Sequence, residues 1–166
     1  PMTELHPAYP AEKVANRLME LAARDGRLLT HMQLQKLAYF AHGLSLGLYG
    51  RRLVSNNFHA WQHGPVAPQL YQRLKEFDDR PIDRPLADPL PGLPLDAEAT
   101  GVIERTYAAY GHMDGWELRN ISHLPGSPWA VVDDHEKYGP IPDALTERYY
   151  REQLEQANAA PQRHAS

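Results

Sequence analysis

The chain has no cysteine, and that absence removes disulfides, thiolate nucleophiles and cysteine-based zinc sites in one step. Long apolar runs are missing too. No stretch approaches the roughly 20 apolar residues needed to cross a bilayer, and no basic segment precedes an apolar run in the manner of a signal peptide. The expectation is a soluble, cytoplasmic protein without a membrane partner. Massed positive charge is also scarce: 17 Lys and Arg stand against 21 Asp and Glu, the net charge is −4, and Arg51-Arg52 is the one adjacent basic pair. Phosphate binding draws on clustered Lys and Arg, so no nucleic-acid partner is expected. No Ser occupies a strained Gly-x-Ser-x-Gly turn, and no glycine nest is placed to cradle phosphate. No cofactor is predicted.

What is present is a strongly patterned block from Thr30 to Leu74. Thr30 followed by Gln33 is a capping box, so a helix begins near His31. Leu34, Leu37, Ala41, Leu44 and Leu48 step by three and four along it, predicting one buried stripe, and Gly50 suits the left-handed turn that ends it. Leu53-Val54 and Phe58 to Trp61 are extended candidates around Ser55-Asn56-Asn57, which predicts a small β-hairpin near residues 53–61. Gly64-Pro65 breaks the chain, and Pro65 or Pro68 opens a second helix carrying Val66, Leu70, Leu74 and Phe77.

On either side the same rules apply. Pro10 starts a first helix with Val14, Leu18, Leu21 and Ala22, closed by Asp25-Gly26. Five prolines from Pro81 to Pro94 forbid regular structure, so residues 78–95 form a surface loop. Asp96 caps a helix with Val102, Ile103, Thr106, Tyr107 and Tyr110; Asp114 with Glu117 makes another box; Ser127-Pro128-Trp129 starts a short helix. Pro142 opens the last one, with Leu145, Tyr149 and Leu154 on one side. A chain of 166 residues suits one core better than two. The fold class predicted is therefore mainly α, a single-domain helical bundle with a minor hairpin, over residues 10–157. Residues 1–9 are expected to be a tail beginning in a cloning remnant, Pro1 before Met2, and residues 158–166 a frayed tail.

Candidates for chemistry are few. His59 and His63 have the spacing of helical metal ligands, but Trp61 and Gly64-Pro65 argue against a helix there, so no metal site is predicted. His123 with Asp133, Asp134 and His135 could suggest a general base, yet no activated nucleophile accompanies it. Its structural reading is a hydrogen bond to the chain where it turns into Pro128-Trp129. Trp61 and Trp129 are read as core aromatics or binding anchors. Gly64 is read as serving a backbone angle or a close approach. Tyr39, Tyr71, Tyr107, Tyr110, Tyr149 and Tyr150 fall beside the apolar stripes, as a half-wet rim or a partner surface.

Four segments together resemble the SocA-like Panacea antitoxin domain: LQKLAYFAHG (34–43), LYGRRL (48–53), AWQHGPVAPQLY (60–71) and SHLPGSPW (122–129). The central helix, the Trp-x-x-Gly-Pro-Val turn and the downstream His with Pro-Trp make the combination specific. Ser122 stands where the family usually has Thr. The resemblance implies an antitoxin that neutralises a cognate toxin, encoded by a neighbouring gene, through direct protein binding and not catalysis. A SocA-type adaptor that delivers toxin to a cytoplasmic protease is the second implication, and a His123-dependent hydrolase a third reading. Some relatives add a helix-turn-helix domain, for which no residues remain here. From the matched motif and its edges, Trp61, His63, Tyr71, Arg73 and His123 are assigned as toxin-binding positions.

Overall fold

The computed structural model describes residues 7–165. It is organised around one long helix, α2 (His31–Tyr49), whose two ends are set by local chemistry. At the start, the Thr30 hydroxyl accepts from the Gln33 amide and the Gln33 side chain accepts from the Thr30 amide; at the end, Gly50 takes the left-handed conformation, φ 62°. Both signals act as the sequence predicts. The expected single stripe understates the burial, because every residue from Gln33 to Gly43 is buried. The reason is that α2 is wrapped by α1 (Ala11–Arg24), α4 (Ala97–Tyr110), α5 (Gly115–Ser122) and α7 (Asp143–Ala165), with a hairpin on a further side. A helix enclosed on all sides buries polar residues with apolar ones, and each then needs a partner.

The close approach of α7 explains the glycines inside α2. A Cβ on Gly43 would lie 2.2 Å from Tyr150 Cε2, and one on Gly47 would lie 2.9 Å from Tyr150 Cβ. Tyr39 donates or accepts a 2.9 Å hydrogen bond with Thr146 on the same helix. Tyr39 and Tyr150 are thus packed between helices and do not form a free rim. The α7 backbone stays helical to Ala165, past Asn158 where the apolar period ends and a frayed tail is expected.

The remaining helices begin at the predicted residues, except that Val66, expected on the helix opened by Pro65 or Pro68, is extended and precedes it. Asp96 caps α4 through the Ala99 amide, Asp114 and Glu117 close a box on α5, Ser127 caps α6 (Pro128–His135), and Pro68 opens α3 (Pro68–Leu74). The Pro-rich segment has no regular element but is pinned down: Ile82 is buried and its amide donates to the Leu29 carbonyl, and Lys13 pairs with Asp88 at 2.6 Å. Among the described residues no helix is long and apolar enough to cross a membrane.

The small antiparallel hairpin is present but paired differently from the prediction. Its strands are β1 (His59–Trp61) and β2 (Gly64–Val66), so the turn is at Gln62-His63 and not at Ser55-Asn56-Asn57. Val54 instead makes an isolated parallel bridge to Tyr9. Gly64-Pro65 is not a break because Pro65 faces Ala60, whose own amide and carbonyl turn the other way, to Gly139 and Tyr138. The proline therefore sits opposite a residue that asks nothing of its missing N–H.

Candidate functional site

The hairpin lies against α2 and α5, and beside this packing is a cleft of about 540 Å³. Gly64 makes the approach feasible. Its φ is 116°, and a Cβ there would lie 2.6 Å from Lys36 Cε and 2.7 Å from Ser122 Oγ. Angle and proximity both demand glycine, as the sequence suggests. Three of the five assigned positions meet along the cleft: Trp61, His63 and Tyr71. Trp61 and Tyr71 pack edge to face with centroids 5.0 Å apart, an attractive arrangement for two aromatic quadrupoles. His63, in the hairpin turn, packs edge to face on Trp116 of α5 at 5.5 Å. Trp116 is 58% exposed, unusual for so large an apolar surface.

Arg73 does not line the cleft; its guanidinium pairs with the buried Glu12 carboxylate at 3.3 Å. His123 lies in an adjoining, smaller cleft with Arg119, Trp129 and Asp133. Its ring stacks flat on Trp129, centroids 3.5 Å apart and planes 8° from parallel. The expected side-chain hydrogen bond to the chain is not made: Nε2 is buried without a partner, and the ring is held by its stacking on Trp129. Burial, then the nearby Arg119 and Lys36 charges, push its pKa down to about 4, so the imidazole is neutral at pH 7. Trp129 in turn donates its indole N–H to the Trp61 carbonyl at 2.7 Å, tying α6 to the hairpin. The Ser122 hydroxyl donates to the Arg119 carbonyl at 2.7 Å and is committed to its own helix. Ser45 stands in a literal Gly-x-Ser-x-Gly string (43–47), yet it is buried inside α2 and donates to the Arg51 carbonyl. Both hydroxyl protons are thus already given to backbone carbonyls and not to a basic side chain.

Lys36 is the residue sequence reasoning missed. It is 1% exposed, lines the cleft, and its ammonium donates to the Pro65 carbonyl at 3.1 Å. Among the described residues it forms no ion pair. Burial above all, with Arg119 second, pushes its pKa down to about 7. His31 completes the wall: its ring packs on Tyr71 at 5.2 Å, and burial followed by the Lys36 charge lowers its pKa to about 4. No apolar pattern marks Lys36, since it is one polar residue in an enclosed helix. Trp116 could have been noticed as a large aromatic in the first turn of the helix that the Asp114-Glu117 box opens, where only Arg119 of the same helix, one turn on, lies over its ring.

Among the described residues no three His, Asp or Glu side chains converge as metal ligands. His59 and His63 belong to the hairpin, where the helical ligand geometry does not exist.

Residues 34–130 match the family described as Antitoxin SocA-like, Panacea domain. The chain is also similar to Antitoxin SocA of Caulobacter vibrioides (strain NA1000 / CB15N), 36% identical over 143 residues, covering 80% of this chain and 74% of that protein. No solved structure matches. The family match includes Trp61, His63, Tyr71, Arg73 and His123, and with them Lys36 and Trp116.

Proposed function

The chain belongs to the SocA-like Panacea antitoxin family, and from that premise we propose that it is an antitoxin acting by direct binding of a cognate toxin. The observation that carries the reading is the aromatic cleft between the hairpin and α5. Trp and Tyr are the residue types that most often anchor protein interfaces, because each removes a large rigid surface from water at little cost in conformational entropy. Here Trp61, Tyr71 and Trp116 present such surface around one opening, with Trp116 58% exposed. Binding there would occlude the toxin's working surface and requires no bond to be made or broken. The His123 ring, held flat against Trp129 and, with a pKa pushed down to about 4, a weak base at pH 7, supports a positioning role for α6 over acid–base chemistry.

The test is co-expression with the product of the adjacent open reading frame. Growth rescue together with a stoichiometric complex on co-purification is the expected result. Trp116→Ala, an exposed change that leaves the core intact, should weaken the complex at least tenfold, an effect of about 1.4 kcal/mol or more. Rescue without a complex, lost when a cytoplasmic protease is deleted, would replace sequestration by the adaptor reading. Catalytic turnover by the purified chain that disappears in His123→Ala would replace both.

A further inference from the structure

A buried ammonium is costly unless an anion or several hydrogen bonds compensate it. Lys36 has one carbonyl, that of Pro65, and two N–H groups left over. The charges around it deepen the problem. Arg119 of α5 raises the cost of its proton, and Lys36 in turn acts on His31 and His123. Asp133 of α6 opposes this at His123, and Asp78 and Asp79 reach the cleft from just past the 3-10 turn Lys75–Phe77 that follows α3. Among the described residues Lys36 is the one Lys or Arg lining this cleft, with Asp78 and Asp79 also on its wall, while Arg119 and His123 line the adjoining cleft.

Resting on the antitoxin reading, we propose that the cleft receives an Asp or Glu side chain of the toxin, its carboxylate on the Lys36 ammonium and its flanking apolar residues on Trp61, Tyr71 and Trp116. The two spare N–H groups suit the two oxygens of a carboxylate. A phosphate is served less well. The two helix starts at the cleft, those of α2 and α5, are each closed by their own capping box, and no Arg fork is aimed at the opening. The aromatic rim adds the apolar contact that a peptide segment supplies and a bare anion does not.

Protonation links this contact to pH. Free Lys36 holds its proton near and below pH 7, and the carboxylate requires the charged form. The population able to bind therefore falls as pH rises, and the apparent Kd should weaken roughly 25-fold from pH 6.5 to 8.5. His31 and His123, with pKa values near 4, stay neutral across that range.

The experiment is a calorimetric titration of the full chain with the neighbouring gene product at several pH values, in buffers of different ionisation heat. Wild type should take up a proton on binding and lose affinity as stated. Lys36→Met, close in shape and apolar, should bind at least tenfold more weakly at pH 6.5 with a flat profile, which separates Lys36 from His63 and from the acids at the rim. A pH-independent wild-type Kd without proton uptake overturns the inference, as does a Lys36→Met complex within threefold of wild type. The wild-type profile decides the matter even if that variant does not fold. No binding by wild type at any pH would instead bring down the antitoxin reading itself. Sodium phosphate or acetate that quenches tryptophan fluorescence saturably at micromolar concentration, in wild type and not in Lys36→Met, would assign the cleft to a free anion and overturn the side-chain anchor.

Discussion

Lys36 and His42 lie on the same helix, both inside the protein, and their surroundings differ in kind. His42, 2% exposed, is matched on both ring nitrogens: Nδ1 accepts the Val54 amide at 3.1 Å, and Nε2 donates to Asp143 at 3.0 Å. That pattern fixes the neutral tautomer. Asp143 is held in turn by Arg52 at 3.1 Å, so α2, the segment after it and the start of α7 share one network. Lys36, toward the hairpin, has a single carbonyl and no carboxylate. A satisfied polar group in a core specifies structure, whereas an unsatisfied cation beside an opening calls for something from outside. The half of α2 facing α7 is finished; the half facing the cleft is not.

The contrast is broken most directly at its finished end. His42→Ala removes a buried ring and strands the Val54 amide, and should cost about 3 kcal/mol in urea unfolding. Lys36→Met, by the same measurement at pH 7, should cost nothing or stabilise, since a buried charge without a counterion gives way to an apolar side chain of similar length. If the two variants were equally destabilised, Lys36 would be a structural residue like His42.

A smaller effect sharpens the comparison through pH. Burial places the Lys36 pKa at about 7 in the folded chain against an ordinary 10.5. Between those values the unfolded chain binds the extra proton, so the stability contributed by the neutral amine grows as pH rises. Wild type should gain about 2 kcal/mol from pH 7 to 9. Burial raises the Tyr39 and Tyr150 pKa values above the ordinary 10, so these phenols do not titrate in that window. For His42 the sign is the same and the window lies lower: burial lowers its pKa below the usual 6.5, so its contribution is present above that value and lost as pH falls through the folded pKa. Urea denaturation of wild type and Lys36→Met at pH 7, 8 and 9 checks the first window. A wild-type slope no steeper than that of the variant would contradict it.

Much of the fold was legible because its signals are local. Capping boxes at Thr30-Gln33 and Asp114-Glu117, prolines at 68 and 128, and Gly50 each act within a turn of helix. The hairpin was read one segment early because Gly64-Pro65 looks like a break until Ala60 is known to direct its hydrogen bonds elsewhere. The cleft was half legible. Trp61, His63 and Tyr71 belong to one matched motif, but His31, Lys36 and Trp116 reach it from α2 and α5. No periodicity says which polar residue of an enclosed helix faces a cavity, and that is decided only when the hairpin docks on it.

The gentlest perturbation of binding concerns Arg73, assigned with the cleft residues from sequence. Its guanidinium is half exposed and reaches back to Glu12, whose carboxylate is 6% exposed, so the pair joins α3 to α1 and screens a buried acid from an apolar surrounding. Arg73→Ala leaves that carboxylate without its cation and should lower stability by about 1–3 kcal/mol, yet leave the toxin Kd within twofold of wild type, while Trp116→Ala weakens it at least tenfold. A folded Arg73→Ala protein that no longer neutralises would extend the binding surface from the cleft across α3, and the division between the finished and unfinished faces of the molecule would have to be redrawn.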